Sequence, residues 1–245
     1  MTQSGRSRGA VKSMTKRVHP APDKFASCPN EGNVLTYFEG QFDSVYVLLS
    51  PFMRATSIPM DRFCPEKWPT KQELIDGTEP VTWEQVLALT GLKSIDEIDL
   101  GLRTSIAGLN KKHSNEKLAD VLCQLTETED IIHPQEGDLS PLIENRLYDS
   151  FQHIGQNWLW VGDEFCSERK LKWIDDLKKS DEIPCHGCVF TPDKSILVTS
   201  HWDSHFSFLC SSKSTIDQIL EHQDFEGFFC TPKTEVYWSV AGKRD

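Results

Sequence analysis

Cys185, Cys188, His201 and His205 follow one another as Cys-x2-Cys-x12-His-x3-His. Two thiolates and two imidazoles complete a tetrahedral zinc site, and this is the ligand spacing of a two-cysteine, two-histidine finger. The residues between the ligands suit such a finger poorly. A finger carries both histidines on a helix, whereas Ile196-Leu-Val-Thr-Ser-His-Trp202 is β-branched and alternating. The finger family expects a large apolar residue where this chain has Pro192. Lys194 is balanced by Asp193 and Asp203, leaving too little positive charge to hold a phosphate backbone.

Read as one strand, residues 196–210 place Ile196, Val198, Trp202, Phe206 and Phe208 on one face and Thr199, His201, Asp203, His205 and Ser207 on the other. With Thr191-Pro192-Asp193-Lys194 as a hairpin turn, Phe190 opposes Ser195 and Cys188 opposes Leu197. Cys188, His186, His201, Asp203 and His205 then share a polar face able to hold a metal or position a general base. The candidate site is therefore His201, Asp203, His205 and His186, with Cys185, Cys188, His201 and His205 as the metal ligands. Zinc is the cofactor the spacing admits, although no motif demands a cofactor. The competing reading is a plain hairpin with buried thiols and a hydrogen-bonded or solvated histidine face, and the residue pattern favours it. A redox Cys-x-x-Cys needs its first thiol at a helix start, where here a strand and turn follow. Haem attachment needs a histidine at position 189, which holds Val189. The sequence has no Gly-x4-Gly-Lys loop, Gly-x-Ser-x-Gly elbow or His-Glu-x-x-His helix, so phosphate-loop, hydrolase and zincin chemistry lack their usual support.

The elements that must position this stretch can be read in outline. Residues 34–38 and 44–49 are strand candidates. Pro51, Pro59, Pro65 and Pro69 then space a long connection. Thr70-Lys-Gln-Glu73, Thr82-Trp-Glu-Gln85 and Ser94-Ile-Asp-Glu97 are capping-box sequences that open helices, Gly91 closes the second, and Asn115 starts a fourth. Residues 127–140 are acidic, contain Pro134 and Gly137, and form the best internal boundary or exposed loop. A helix starts at Pro141 and a strand spans 157–161. Residues 167–179 read as a helix with Leu171, Ile174 and Leu177 inward. A helix capped by Ser214 or Thr215 and a last hairpin at 227–240 complete the chain. The fold class is α+β, with a helical N-terminal half and, in the C-terminal half, a mainly antiparallel sheet flanked by helices.

Composition narrows the function classes. With 245 residues, 38% of them hydrophobic, the chain can bury a sizeable core. The net charge is −11, and Arg6, Arg8, Lys12, Lys16 and Arg17 lie in a leader without acids, so the remainder is more acidic still. That charge argues against a nucleic-acid partner, and the chain has no apolar run long enough to span a bilayer, so no membrane partner is expected. The organisation expected is a flexible basic tail over 1–33, with Met14 as an alternative start, and one α+β unit over 34–245 with a sub-boundary near 127–140. Eight spread cysteines suit reduced thiols and a cytoplasmic location.

The run from Cys188-Val-Phe-Thr-Pro-Asp-Lys to Ser-His-Trp-Asp-Ser-His-Phe206, with Phe225-Glu-Gly-Phe-Phe-Cys230 beyond it, resembles an uncharacterised bacterial family known as a domain of unknown function, from about residue 34 onward. Residues 184–240 are also similar to small immunity and interaction proteins of bacterial toxin systems. The family resemblance implies no activity; the acidic charge, the abundant aromatics and the lack of a catalytic motif lead instead to a non-enzymatic, immunity-like binding protein, and the acidic charge suggests that it shields a basic protein partner. A metal-dependent enzyme built on the Cys/His/Asp cluster of 184–210 is the alternative.

Overall fold

The computed structural model describes residues 26–109, 111–236 and 240–241. In chain order the elements are β1 (Gly32–Asn33), α1 (Val34–Tyr37), β2 (Ser44–Leu49), β3 (Phe52–Ala55), α2 (Lys71–Gly77), β4 (Thr78–Val81), α3 (Trp83–Thr90), α4 (Ile95–Ser105), α5 (Glu116–Glu129), β5 (Ile131–Ile132), α6 (Pro141–His153), β6 (Trp158–Gly162), β7 (Arg169–Trp173), α7 (Ile174–Leu177), β8 (Cys188–Phe190), β9 (Leu197–Ser200), β10 (Phe206–Ser211), α8 (Lys213–His222), β11 (Gly227–Phe229), β12 (Glu235–Val236) and β13 (Val240–Ala241).

Seven strands form the main sheet in the order β11-β2-β10-β9-β8-β6-β7, every pair antiparallel. Both faces are covered. Tyr46, Leu48, Leu209, Val198, Val189, Val161 and Leu159 pack with α6, α7 and α8 through Leu147, Phe151, Ile174, Leu177, Ile216 and Ile219. On the opposite face Val45, Val47, Phe208, Cys210, Leu197, Phe190 and Cys188 meet Trp83, Val86, Ile98, Leu102 and Leu122 of α3, α4 and α5. A strand buried on both sides has no polar face, and for this reason residues 45–49 form an unbroken apolar run. Two three-stranded sheets, β4-β3-β5 and β1-β12-β13, stand beside it.

Helix starts follow the capping rules. Thr70 with Glu73 and Thr82 with Gln85 both form complete capping boxes, and Gly91 ends α3 at φ 71°. The Glu226 carboxylate also accepts from the backbone N–H groups of Trp83 (2.6 Å) and Glu84 (2.9 Å), pinning the start of α3 to the chain ahead of β11.

Several expectations are corrected. Residues 34–37 are helical, because Asn33 Oδ1 accepts from Thr36 N (2.8 Å) and Val34 and Phe38, one turn apart, are both buried. Residues 167–179 do not form one helix. Pairing with β6 draws 169–173 into a strand and leaves Leu171 exposed, while Ile174 and Leu177 are buried as expected in α7. Residues 196–210 are two strands joined by a turn at 201–205. The β8–β9 register is Phe190↔Leu197 and Cys188↔Thr199, a two-residue shift from the expected pairing, because Asp193 accepts from Thr191 Oγ1 (2.6 Å) and Ser195 N (3.0 Å) and so orders a longer loop. The strands at 227–229 and 235–236 do not pair with each other, since β11 joins β2 and β12 joins β1 and β13.

Helix and sheet are not divided between the halves of the chain. The N-terminal half supplies β2 to the main sheet, where it lies between β10 and β11, as well as β3 and β4. Within the expected loop at 127–140, β5 pairs with β3. Most of the expected tail, residues 1–25, lies outside the described residues. The part described is packed down, with Ala26 fully buried and the Cys28 thiol donating to the Ser200 carbonyl at 3.2 Å. No helix among the described residues is long and apolar enough to cross a membrane.

Candidate functional site

The turn at 201–205 gathers most of the residues singled out for chemistry. Gly108, beyond the end of α4, lies against Asp203, and the segments at 133–138 and 184–188 pack on the turn through Gly137 and His186. Its backbone is held by Ser204 Oγ donating to the His201 carbonyl (2.9 Å) and by Gly137 N donating to the Ser204 carbonyl (2.8 Å).

On the inner side, His201 and His205 are 5% and 2% exposed. The His201 ring stacks on Phe206 with centroids 6.3 Å apart, and its Nε2 lies 3.4 Å from the Asn30 carbonyl. A carbonyl can only accept, so the proton belongs on Nε2. The Nδ1 atoms of both imidazoles have no hydrogen-bond partner among the described residues. Arg103, buried on α4, puts positive charge near both rings and is itself balanced by Asp99 and Asp203. Burial, then Arg103, lowers His201 to about 4; burial, then His133 and Arg103, lowers His205 to about 3. His133, whose Nε2 is 3.0 Å from the Leu122 carbonyl, is lowered by burial too. Imidazoles so weakly basic stay neutral at physiological pH and make poor general bases there.

On the outer side Trp202 is 50% exposed, and His186 stacks on it with centroids 5.1 Å apart. A side chain at Gly137, which sits at φ 69°, would strike His186, whose Nδ1 is 2.1 Å from the position a Cβ would take. The Gly137 carbonyl accepts from His186 N (3.1 Å), so this glycine joins the 184–188 segment to the turn. Burial, then the Asp203 carboxylate, raises Glu136. Burial also raises Asp138, against hydrogen bonds from Cys185 and the His186 backbone. Partial burial of the Cys185 sulfur and the Asp138 carboxylate push that thiol up to about 11.

The four expected metal ligands occupy different surroundings. Cys185 faces Asp138, Cys188 meets Cys166 over Gly162, His201 turns to Asn30, and His205 lies near His133 and Arg103. Among the described residues no group of three or more His, Cys, Asp or Glu side chains is placed to hold a metal ion, and the four are not gathered at one point. Splitting 196–210 into two strands removed the shared polar face on which that ligand set depended. Elemental analysis of protein purified without chelator or metal-affinity resin should find well below one zinc per chain. About one zinc per chain, lost in a folded His201→Ala/His205→Ala variant, would reverse that conclusion.

Arg103, Asp99 and His133 were missed in the sequence. The Asp99/Arg103 pair at i, i+4 was a visible signal, but it sits within the apolar stripe of Ile98 and Leu102 and reads there as ordinary helix patterning.

The other candidate surface is the far edge of the main sheet, where among the described residues β7 has one strand neighbour, β6. Trp158 and Leu171 are 45% and 43% exposed there. Trp158 meets Trp173 edge-on at 5.1 Å, and the Arg169 guanidinium lies 5.5 Å from the Trp160 ring centre. A groove of about 740 Å³ runs past Val161, Lys170, Lys172, Glu182 and Pro184.

These features define an α+β protein with an antiparallel sheet between two helical layers, a turn with two buried histidines beside Arg103, and a sheet edge at β7. The chain belongs to the family described as "Protein of unknown function (DUF2711)", whose model matches residues 30–240. No curated protein and no solved structure matches it.

Proposed function

We propose that this chain is a non-enzymatic, immunity-like cytoplasmic protein that binds a protein partner by accepting an extended segment along the β7 edge. The observation that carries this reading is that β7, among the described residues, has one strand neighbour and lies beside exposed Trp158 and Leu171. A strand with one free edge adds a further strand through main-chain hydrogen bonds, while side chains alongside set specificity. The neutral, enclosed histidines at 201 and 205 offer little to acid–base catalysis.

Edge charge selects the occupant. β7 carries Arg169, Lys170 and Lys172; Lys172 is paired with Glu182, and Lys170 is exposed on the strand. Antiparallel self-pairing centred on Leu171 would set Lys170 against Lys172, and like charges directly opposite are destabilising. An acidic strand from another protein meets the same edge with complementary charge.

The test is recovery of a stoichiometric partner from extract of the native host, followed by hydrogen exchange on the purified complex. Amides 169–173 should be protected in the complex, and Lys170→Glu/Leu171→Glu should weaken binding by about tenfold or more without altering the melting temperature of the free protein. The Lys172–Glu182 ion pair is left intact by that variant. Repeated recovery of the chain alone, or protection confined to other segments, would sink the proposal.

A further inference from the structure

Cys188 has a close cysteine neighbour, and it is not the one three residues away in sequence. On β6, Gly162 stands opposite Cys188, and the chain then doubles back through 163–168. That reversal is tightly held: the Asp163 carboxylate accepts from the N–H groups of Phe165 (3.1 Å), Ser167 (2.7 Å) and Glu168 (3.0 Å), and the Asp163 carbonyl accepts from Cys166 N (2.9 Å). Cys166 takes a left-handed φ of 52°, which turns its side chain back over the strand. A Cβ added at Gly162 would lie 3.1 Å from Cys166 Sγ and 3.1 Å from Cys188 Sγ. Both sulfurs therefore lie around the same point, in the space that the missing side chain leaves.

Their surroundings differ in a way that assigns roles. Cys166 is partly exposed on the turn, and Arg169 Nη1 lies 3.8 Å from its sulfur, so positive charge stands beside the accessible thiol. Cys188 is buried within β8. Cys185 is exposed and turned toward Asp138.

We propose that Cys166 and Cys188 form a thiol–disulfide exchange site whose substrate class is a low-molecular-weight disulfide. Cys166, on giving up its proton, attacks one sulfur of the small disulfide; that S–S bond breaks and one small thiol leaves with a proton. Cys188 then gives up its proton and attacks the Cys166 sulfur of the mixed disulfide, which releases the second small thiol. The balance is two protein thiols plus one small disulfide giving one protein disulfide plus two small thiols. Closing the bond requires the two Cβ atoms to come within about 4 Å of each other. The product fastens the turn at 163–168 to β8 at the head of β7. This inference goes beyond the binding reading and does not depend on it.

The full chain is equilibrated with mixtures of reduced and oxidised glutathione, acid-quenched, alkylated, and analysed by intact mass and peptide mapping. The expected product has lost two hydrogens and carries a Cys166–Cys188 cross-link, formed equally well in Cys185→Ser. Cys188→Ser should stop at a glutathione adduct on Cys166, and Cys166→Ser should form no internal bond. Should Cys188→Ser fold poorly, the wild-type map decides by itself. A Cys185–Cys188 cross-link, or full alkylation of Cys166 and Cys188 while the exposed Cys123 carries glutathione, would overturn the assignment.

Discussion

Lys71→Ala is expected to lose about 3–5 kcal/mol of unfolding free energy, read as a lower denaturant midpoint at constant slope. Lys71 opens α2, yet its side chain is buried, and its Nζ donates to Glu144 (2.7 Å), to the Leu177 carbonyl (2.9 Å) and to the Ser180 carbonyl (3.2 Å). The ammonium also lies 5.8 Å from the Tyr148 ring centre. One lysine thus joins α2 to α6 and to the end of α7. Removing it strands two carbonyls and a buried carboxylate. Burial already raises the Glu144 carboxyl against the pull of Lys71, so without the lysine that acid takes up a proton, which caps the loss. Replacing both partners, as Lys71→Met/Glu144→Leu, should restore most of the stability, because two apolar side chains leave no uncompensated charge. A single variant within about 1 kcal/mol of the parent would show that the pair is solvated rather than buried.

The buried imidazoles give the second large effect, a loss of stability on mild acidification. His201 and His205 are lowered from 6.5 to about 4 and about 3 in the fold. Below pH 6.5 the unfolded chain takes up protons that the native chain refuses, so stability is full above the unfolded value and falls as pH drops toward the folded values. Each imidazole contributes up to ~1.4 kcal/mol per pH unit within that window, and His133 has the same sign. Glu136, Asp138 and Glu144 act the other way. Their carboxyls are raised, so the native state gains protons ahead of the unfolded chain as pH approaches the ordinary carboxylate range. The steepest loss is therefore expected between about pH 6.5 and 5, roughly 3 kcal/mol in all. Denaturant titrations across that interval measure it, and His205→Leu should flatten the slope whatever it does to absolute stability. An unchanged midpoint from neutral to mildly acidic pH would mean that these rings are protonated in the fold.

Where local chemistry decides, the fold was legible. Thr70 with Glu73 and Thr82 with Gln85 mark helix starts through their own side chains, Gly91 marks a stop, and α4, α5 and α6 begin where Ser94, Asn115 and Pro141 indicate. Long-range pairing was not legible. In β9 and β10, Val198 lies opposite Leu209 and Thr199 opposite Phe208, so the turn at 201–205 exchanges odd and even positions between faces. Extending one alternation through 196–210 put Val198 with Phe206 and Phe208, whereas Val198 packs on the α6–α8 side and the two phenylalanines on the other. A half-exposed hairpin would reveal that swap by its polar residues. Here both faces are buried, and Thr199, Ser200 and Ser207 are buried with them. The candidate site shared this outcome. His186, His201, Asp203 and His205 belong to one turn and the segment packed on it, but their partners Arg103 and His133 come from elements whose sequence reads as ordinary packing.

The place of β2 between β10 and β11 also sets an order of events. Among the described residues, the strand partners of 44–49 are 206–211 and 227–229, so a large loop must close before either ladder forms, and contacts of such long sequence separation make for slow folding. A chain synthesised from its N-terminus presents Val45-Tyr46-Val47-Leu48-Leu49 with both edges bare while everything between is still being made. A short, β-branched, uncharged segment in that state is prone to pair with other chains. A strand paired on both edges in the finished sheet is therefore bare on both during biosynthesis.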